Sequence, residues 1–213
     1  MRLLCSLILL LLMACIANAQ KQDEQYLQAF KPQALPFKYI DSSGLFSKKF
    51  KIHPKFPNIA IFEAINQINV AYCLKDKNKW LEIQNEKIEF VMGHQFEKLD
   101  TSGLPELIVF WQEFNYNKSG GTSTDWMSVI KLDSIPTQIL KICIGCNEEY
   151  FGNKDKNGEG SFYNSYLRAV KVSKNGILLS AVNKKQYPYP DCPVTAIPKG
   201  TYKLMDGQII KLK

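Results

Sequence analysis

Apolar residues recur along most of this chain in short runs of alternating or continuous character, and Gly, Asn, Asp and Pro interrupt the runs every few positions. That punctuation predicts strands rather than long helices. The strongest run is Leu107-Ile108-Val109-Phe110-Trp111, in which both alternating sets of side chains are apolar. As a strand it needs cover on both faces. Pro105 cannot donate to a ladder and is tolerated at a strand's first residue, so the strand is expected to start near Glu106, after the turn cluster Asp100 to Gly103.

Around that run the same reading gives strands at Val70 to Lys75, Lys79 to Gln84 and Lys87 to Met92, and another beginning near Ile139. Asn175-Gly176 reads as a two-residue hairpin loop between Leu167 to Lys174 and Ile177 to Val182, with Val172 opposite Leu179. Asp206-Gly207 gives a second between Thr201 to Met205 and Gln208 to Leu212. Asn115 to Asp125, Gly152 to Gly160 and the proline-rich Tyr187 to Pro193 read as loops. One helix is expected near residues 59–68, where Ile61, Ile65, Ile68 and Tyr72 keep a helical spacing. The fold class that follows is mainly β with a minor helical part: an antiparallel meander or sandwich-like single domain over residues 37–213.

The first residues change the picture of where the chain works. Arg2, the apolar run Leu3 to Met13 and the Ala17-Asn18-Ala19 pattern before Gln20 predict a signal peptide over residues 1–19. Leu12-Met13-Ala14-Cys15 resembles a bacterial lipobox, which implies Cys15 as an alternative lipid-anchored first residue; the intact Ala-x-Ala pattern favours cleavage after Ala19. Residues 20–36, polar and carrying Pro32 and Pro36, read as a flexible lead. No later stretch is long and apolar enough to cross a membrane as a helix.

The chain has 213 residues and a formal net charge of +7. The charge is nearly all lysine and is spread out, which suits solubility and a weak attraction to anionic surfaces. It lacks the basic stripe within a recognisable module that nucleic-acid binding requires. The densest patch, Phe46 to Phe56, interleaves aromatics with Lys48, Lys49, Lys51 and Lys55 and reads as a half-exposed strand.

Leu99-Asp100-Thr101-Ser102-Gly103-Leu104-Pro105-Glu106-Leu107-Ile108-Val109 resembles the turn and following strand of FG-GAP (VCBS-like) β-blades. The resemblance covers about a dozen residues and implies a β-meander with a similar turn. It also implies calcium at the turn, for which Asp100 alone matches an acidic position. A second calcium candidate, read from its own spacing, is the loop holding Asp155 and Asn157, where oxygen-bearing side chains alternate and Gly158 stands sixth. Its first position is Asn153 and its twelfth Asn164, which favours a solvated polar loop.

After processing, Cys73, Cys143, Cys146 and Cys192 remain, an even count that suits disulfides in an exported chain. The preferred pairing is Cys143 with Cys146 and Cys73 with Cys192. Cys143-Ile144-Gly145-Cys146 also raises thiol–disulfide exchange, but Glu148 and Glu149 beside it disfavour a thiolate and no βαβ pattern surrounds it. His53 and His94 are the two histidines. Alternation on a strand puts His94 on one face with Phe96 and Lys98, away from Glu97. Trp80, Trp111 and Trp126 offer stacking surface or core, with core the default.

No nucleophile elbow, phosphate loop or His-Glu-x-x-His occurs. The expectation is an exported cell-envelope domain without catalytic or cofactor chemistry, binding an unidentified protein or glycan or serving a structural role. The alternatives are a thiol–disulfide redox protein using Cys143 and Cys146, and a calcium-dependent module.

Overall fold

The computed structural model describes residues 31–75, 78–84, 90–100, 103–117, 120–154, 160–167, 169–180, 199–205 and 208–212. In chain order the elements are β1 (Gln33–Ala34), β2 (Phe37–Ile40), α1 (Ser42–Ser47), β3 (Lys51–Ile52), β4 (Ile59–Ala64), β5 (Gln67–Tyr72), β6 (Trp80–Ile83), β7 (Phe90–Glu97) and β8 (Glu106–Asn117). There follow β9 (Gly120–Lys131), β10 (Thr137–Lys154), β11 (Gly160–Leu167), β12 (Val170–Ser173), β13 (Gly176–Leu179), β14 (Gly200–Met205) and β15 (Gln208–Lys211). The fold is mainly β, and its paired strands are antiparallel throughout.

Three sheets form. The large one runs β1-β10-β9-β8-β7, with β11 also on β10; a five-stranded sheet runs β2-β6-β5-β4-β3; a four-stranded sheet runs β12-β13-β14-β15. Leu107, Val109, Trp111, Trp126 and Ile130 on one face of the large sheet pack against Ile59, Ile68, Val70, Tyr72, Leu81 and Ile83 of the five-stranded sheet. Ile108, Met127, Val129, Leu140 and Ile142 on the other face pack against Ile177, Leu179, Tyr202 and Leu204 of the four-stranded sheet. The large sheet is therefore the middle layer of three, which explains the unbroken apolar run of β8: a strand covered on both sides gains about 1.5–3 kcal/mol per buried aliphatic side chain on each. The outer face of the five-stranded sheet is covered in turn by Leu45 of α1 and Phe50, which close over Ala60, Ala71, Cys73 and Trp80.

Pro105 does precede the strand start at Glu106, and Leu107 to Val109 are fully buried. Met205 pairs with Gln208 across Asp206-Gly207, as that dipeptide predicts. The helix expected at 59–68 is instead the β4–β5 hairpin. Ile59 pairs with Tyr72 and Ala64 with Gln67, while Ile65 at the tip is 90% exposed and Asn66 takes φ 60°. The four-residue steps within each arm also fit a period of two, the three-residue step from Ile65 to Ile68 crosses the turn, and pairing with neighbouring strands decided the outcome.

The hairpin expected at Asn175-Gly176 is displaced from its expected register. Val172 pairs with Ile177 and Ser173 with Gly176, so Lys174-Asn175 form the turn. Gly176 has φ 120°, and a Cβ there would collide with the Tyr202 carbonyl of β14. The glycine serves a close approach between strands instead of the turn. The shift is by two residues, so the apolar face is unchanged.

Two expected loops are strand where they are described. Residues 115–117 and 120–125 continue β8 and β9, and 152–154 continue β10. Residues 31–36 are not a free lead: Gln33 pairs with Gln138 of the large sheet, and the Pro36 carbonyl accepts from Gln84 N–H of the five-stranded sheet at 2.8 Å. The expected strand at Lys87 to Met92 is β7, which begins at Phe90 among the described residues and reaches Glu97. Residues 1–30, including the signal-peptide region and Cys15, lie outside the described residues, as do the proline-rich segment with Cys192 and the loop with Asp155 and Asn157.

Candidate functional site

The cysteines are arranged differently from the pairing the sequence favours. Cys73 and Cys143 are buried thiols. Cys146 belongs to a disulfide, and its other half is not among the described residues. Cys143 and Cys146 both lie on β10, where a bulge sets Cys143 opposite Trp126 and Cys146 opposite Thr124. They thus face the same side two ladder steps apart, about 6.8 Å with near-parallel Cβ directions, whereas a disulfide brings Cβ atoms to about 3.5–4.5 Å. Cys143 Sγ instead donates to the Gly145 carbonyl at 3.3 Å. Buried on a strand and away from any helix N-terminus, it has none of the features that activate a thiol.

Asp100 stands in the turn before β8. The carboxylate that organises this turn is Glu106, 1% exposed, whose Oε2 accepts the Leu99 N–H at 2.8 Å. Burial raises its pKa, opposed by the bonds from backbone N–H groups. Among the described residues no three of His, Cys, Asp and Glu stand close enough to share an ion.

The tryptophans are core. Trp80, Trp111 and Trp126 are buried, and Trp111 and Trp126, paired across β8 and β9, stack with centroids 6.0 Å apart. Their indole N–H groups donate to Ser128 Oγ and Glu113 Oε2, both at 2.9 Å. Lys141 Nζ sits 3.9 Å above the Trp126 ring and 3.7 Å from Glu113 Oε2, closing this polar rim of the core.

A concave feature lies at the edge of the five-stranded sheet, beside the segment that follows α1. Asp41 caps the helix: its Oδ1 accepts Gly44 N–H and Ser43 Oγ–H at 2.7 Å, bonds that lower its pKa. At the other end Lys49 N–H bonds the Phe46 carbonyl and Phe50 N–H the Leu45 carbonyl, with Lys49 at φ 61°. This is a Schellman ending with lysine at the left-handed position that glycine usually fills. Lys48 Nζ reaches back 2.6 Å to the buried Glu82 of β6, which Lys38 also approaches at 3.5 Å. The hydrogen bond to Glu82 raises the Lys48 pKa. One lysine thus anchors the helix and the next is turned elsewhere.

Lys49 and Lys51 line a groove of about 430 Å³ together with Ile52, Pro54, Ile61, Phe62 and Glu63. Glu63 Oε1 lies 3.5 Å from Nε2 of His94. His94 and His53 both make edge contacts with Phe96, and His53 stacks on Phe56. The sequence reading had put His94 with Phe96, and the strand does so; it gave no sign of Glu63 or His53. His53 Nδ1 faces the Lys55 and Phe56 N–H groups at 3.2 Å. Burial, first of all, lowers the pKa of both histidines, with Glu63 opposing it at His94.

The Phe46 to Phe56 patch is therefore no single half-exposed strand. It is a helix end, the two-residue β3 and a turn, folded so that its basic side chains divide between an ion pair and a groove. Nothing in the sequence marks Lys49 as left-handed, because only glycine or asparagine would signal that backbone. No protein-family model matches the chain, and neither a curated protein nor a solved structure does.

Proposed function

We propose that this is an exported cell-envelope domain that works by binding and carries no catalytic centre of its own. The observation that carries the reading is the groove beside β3, where two lysines and several apolar side chains meet at the edge of a rigid sheet. The signal-peptide pattern of residues 1–19 supports export. The redox alternative needs an accessible, activated thiol, and the burial of Cys143 speaks against it.

Thiol titration of the native protein, together with an insulin-reduction assay, tests the reading. Cys73 and Cys143 are expected to react with a thiol reagent only on unfolding, with no insulin reduction. Turnover of insulin overturns the proposal in favour of thiol–disulfide exchange.

A further inference from the structure

We propose that the groove beside β3 docks the protein on an anionic phospholipid surface, with a lipid phosphoryl group held between Lys49 and Lys51. The inference rests on the binding reading above and names its ligand class. Charge comes first: Lys48 is committed to Glu82, whereas among the described residues no ion pair joins Lys49 or Lys51 to a carboxylate. Both line the groove, whose one carboxylate, Glu63, faces His94. Lysine is a compact, flexible point charge suited to phosphoryl oxygens.

The second argument is the backbone. Lys49 occupies a left-handed position where glycine would be the less strained choice. The fold carries that strain while presenting an ammonium group to the groove. The third is the rim. Ile52 and Phe62 line the groove, and Ile52 is 42% exposed. Apolar side chains beside lysines are the composition that enters the headgroup region of an anionic bilayer. A groove of this size takes a headgroup and the first carbons of a chain, not a whole lipid. A formal net charge of +7 for the full sequence, or +6 once Arg2 leaves with the signal peptide, adds long-range attraction to the same surface.

The test is co-sedimentation of the purified protein with phosphatidylcholine vesicles, with or without phosphatidic acid, alongside thermal melting. The wild-type protein is expected to partition onto the acidic vesicles and not onto phosphatidylcholine alone. Lys49→Gly should lower that partition about fivefold, the effect of one lysine at an anionic surface. The same change should raise the melting temperature, because glycine relieves the left-handed backbone. Weaker binding by a more stable protein cannot be laid to misfolding. Lys51→Gln should reduce binding likewise, and Lys171→Gln, on the exposed part of β12, should leave it unchanged.

Three results overturn the inference: no partition onto acidic vesicles; equal losses in Lys49→Gly and Lys171→Gln, which mean diffuse attraction; or release of bound protein by inorganic phosphate at matched ionic strength, which means a site for soluble phosphate. None of them bears on insulin reduction, so failure here is distinguishable from failure of the binding reading.

Discussion

The two halves of β8 share one strand and one hairpin partner but live in different surroundings. From Leu107 to Trp111 the strand lies between β7 and β9 and beneath an outer sheet on each face. Beyond Gln112, which pairs with Phe90 at the start of β7, the ladder with β9 continues to Asn117, yet Glu113, Phe114, Asn115 and Tyr116 are exposed. Hydrogen bonding is common to both halves, and layering is not. The difference teaches that this chain makes strand wherever two segments can pair, and makes core only where the outer sheets reach.

The sharpest way to break the comparison is truncation in each half. Ile108 is 0% exposed, and Ile108→Ala is expected to cost about 2–5 kcal/mol, through lost transfer energy and the cavity left between the middle and four-stranded sheets. Phe114→Ala removes a larger side chain that touches Phe90 and Tyr116 at the surface, and is expected to cost under about 1 kcal/mol. Urea unfolding of both variants checks the ranking. Equal costs would mean that the outer layers do not distinguish the two halves.

A smaller effect comes from the histidines at the five-stranded sheet. Their folded pKa values lie below the ordinary value of about 6.5. Above that value both states are neutral; below it the unfolded chain takes up protons that the folded protein refuses, so stability falls as pH drops through about 6.5 towards the folded values. Glu106 acts oppositely. Its raised pKa means that acidification towards the ordinary carboxylate value relieves a cost of folding. The melting temperature is expected to fall between pH 7.5 and 5.5, by no more than the roughly 2–4 °C that ~1 kcal/mol produces in a domain of this size. His94→Gln should flatten the slope, and a slope identical to wild type would remove His94 from this account.

Much of the fold was legible because it depends on local pattern. The run Leu107 to Trp111 announced a doubly covered strand, Pro105 its start, and Asp206-Gly207 a hairpin whose register is as read. What was illegible depends on partners distant in sequence. Ile61, Ile65 and Ile68 keep a helical spacing, yet pairing of β4 with β3 and β5 makes both arms strand, and the odd step from Ile65 to Ile68 falls at the hairpin tip. Gly176 looked like a turn residue because nothing local shows that Tyr202 comes to lie against it. Asn115 to Asp125 looked like a loop because its residues are polar or glycine, yet Ser123 and Thr124 are buried in β9 and Gly121 is there because a Cβ would collide with the Asn115 carbonyl. The candidate groove was the least legible part. Its lysines were visible as a patch, but their division between Glu82 and the groove follows from a helix ending that glycine would have signalled and lysine did not.

Residue-by-residue amide hydrogen exchange along β8 tests the layered architecture most directly. Amides from Leu107 to Trp111 are expected to exchange only at the rate of global unfolding, and those from Phe114 to Asn117 through local opening orders of magnitude faster. Uniform protection from Leu107 to Asn117, or fast exchange at Ile108 and Val109, would contradict a β8 covered on both faces from Leu107 to Trp111 and exposed from Glu113 to Tyr116.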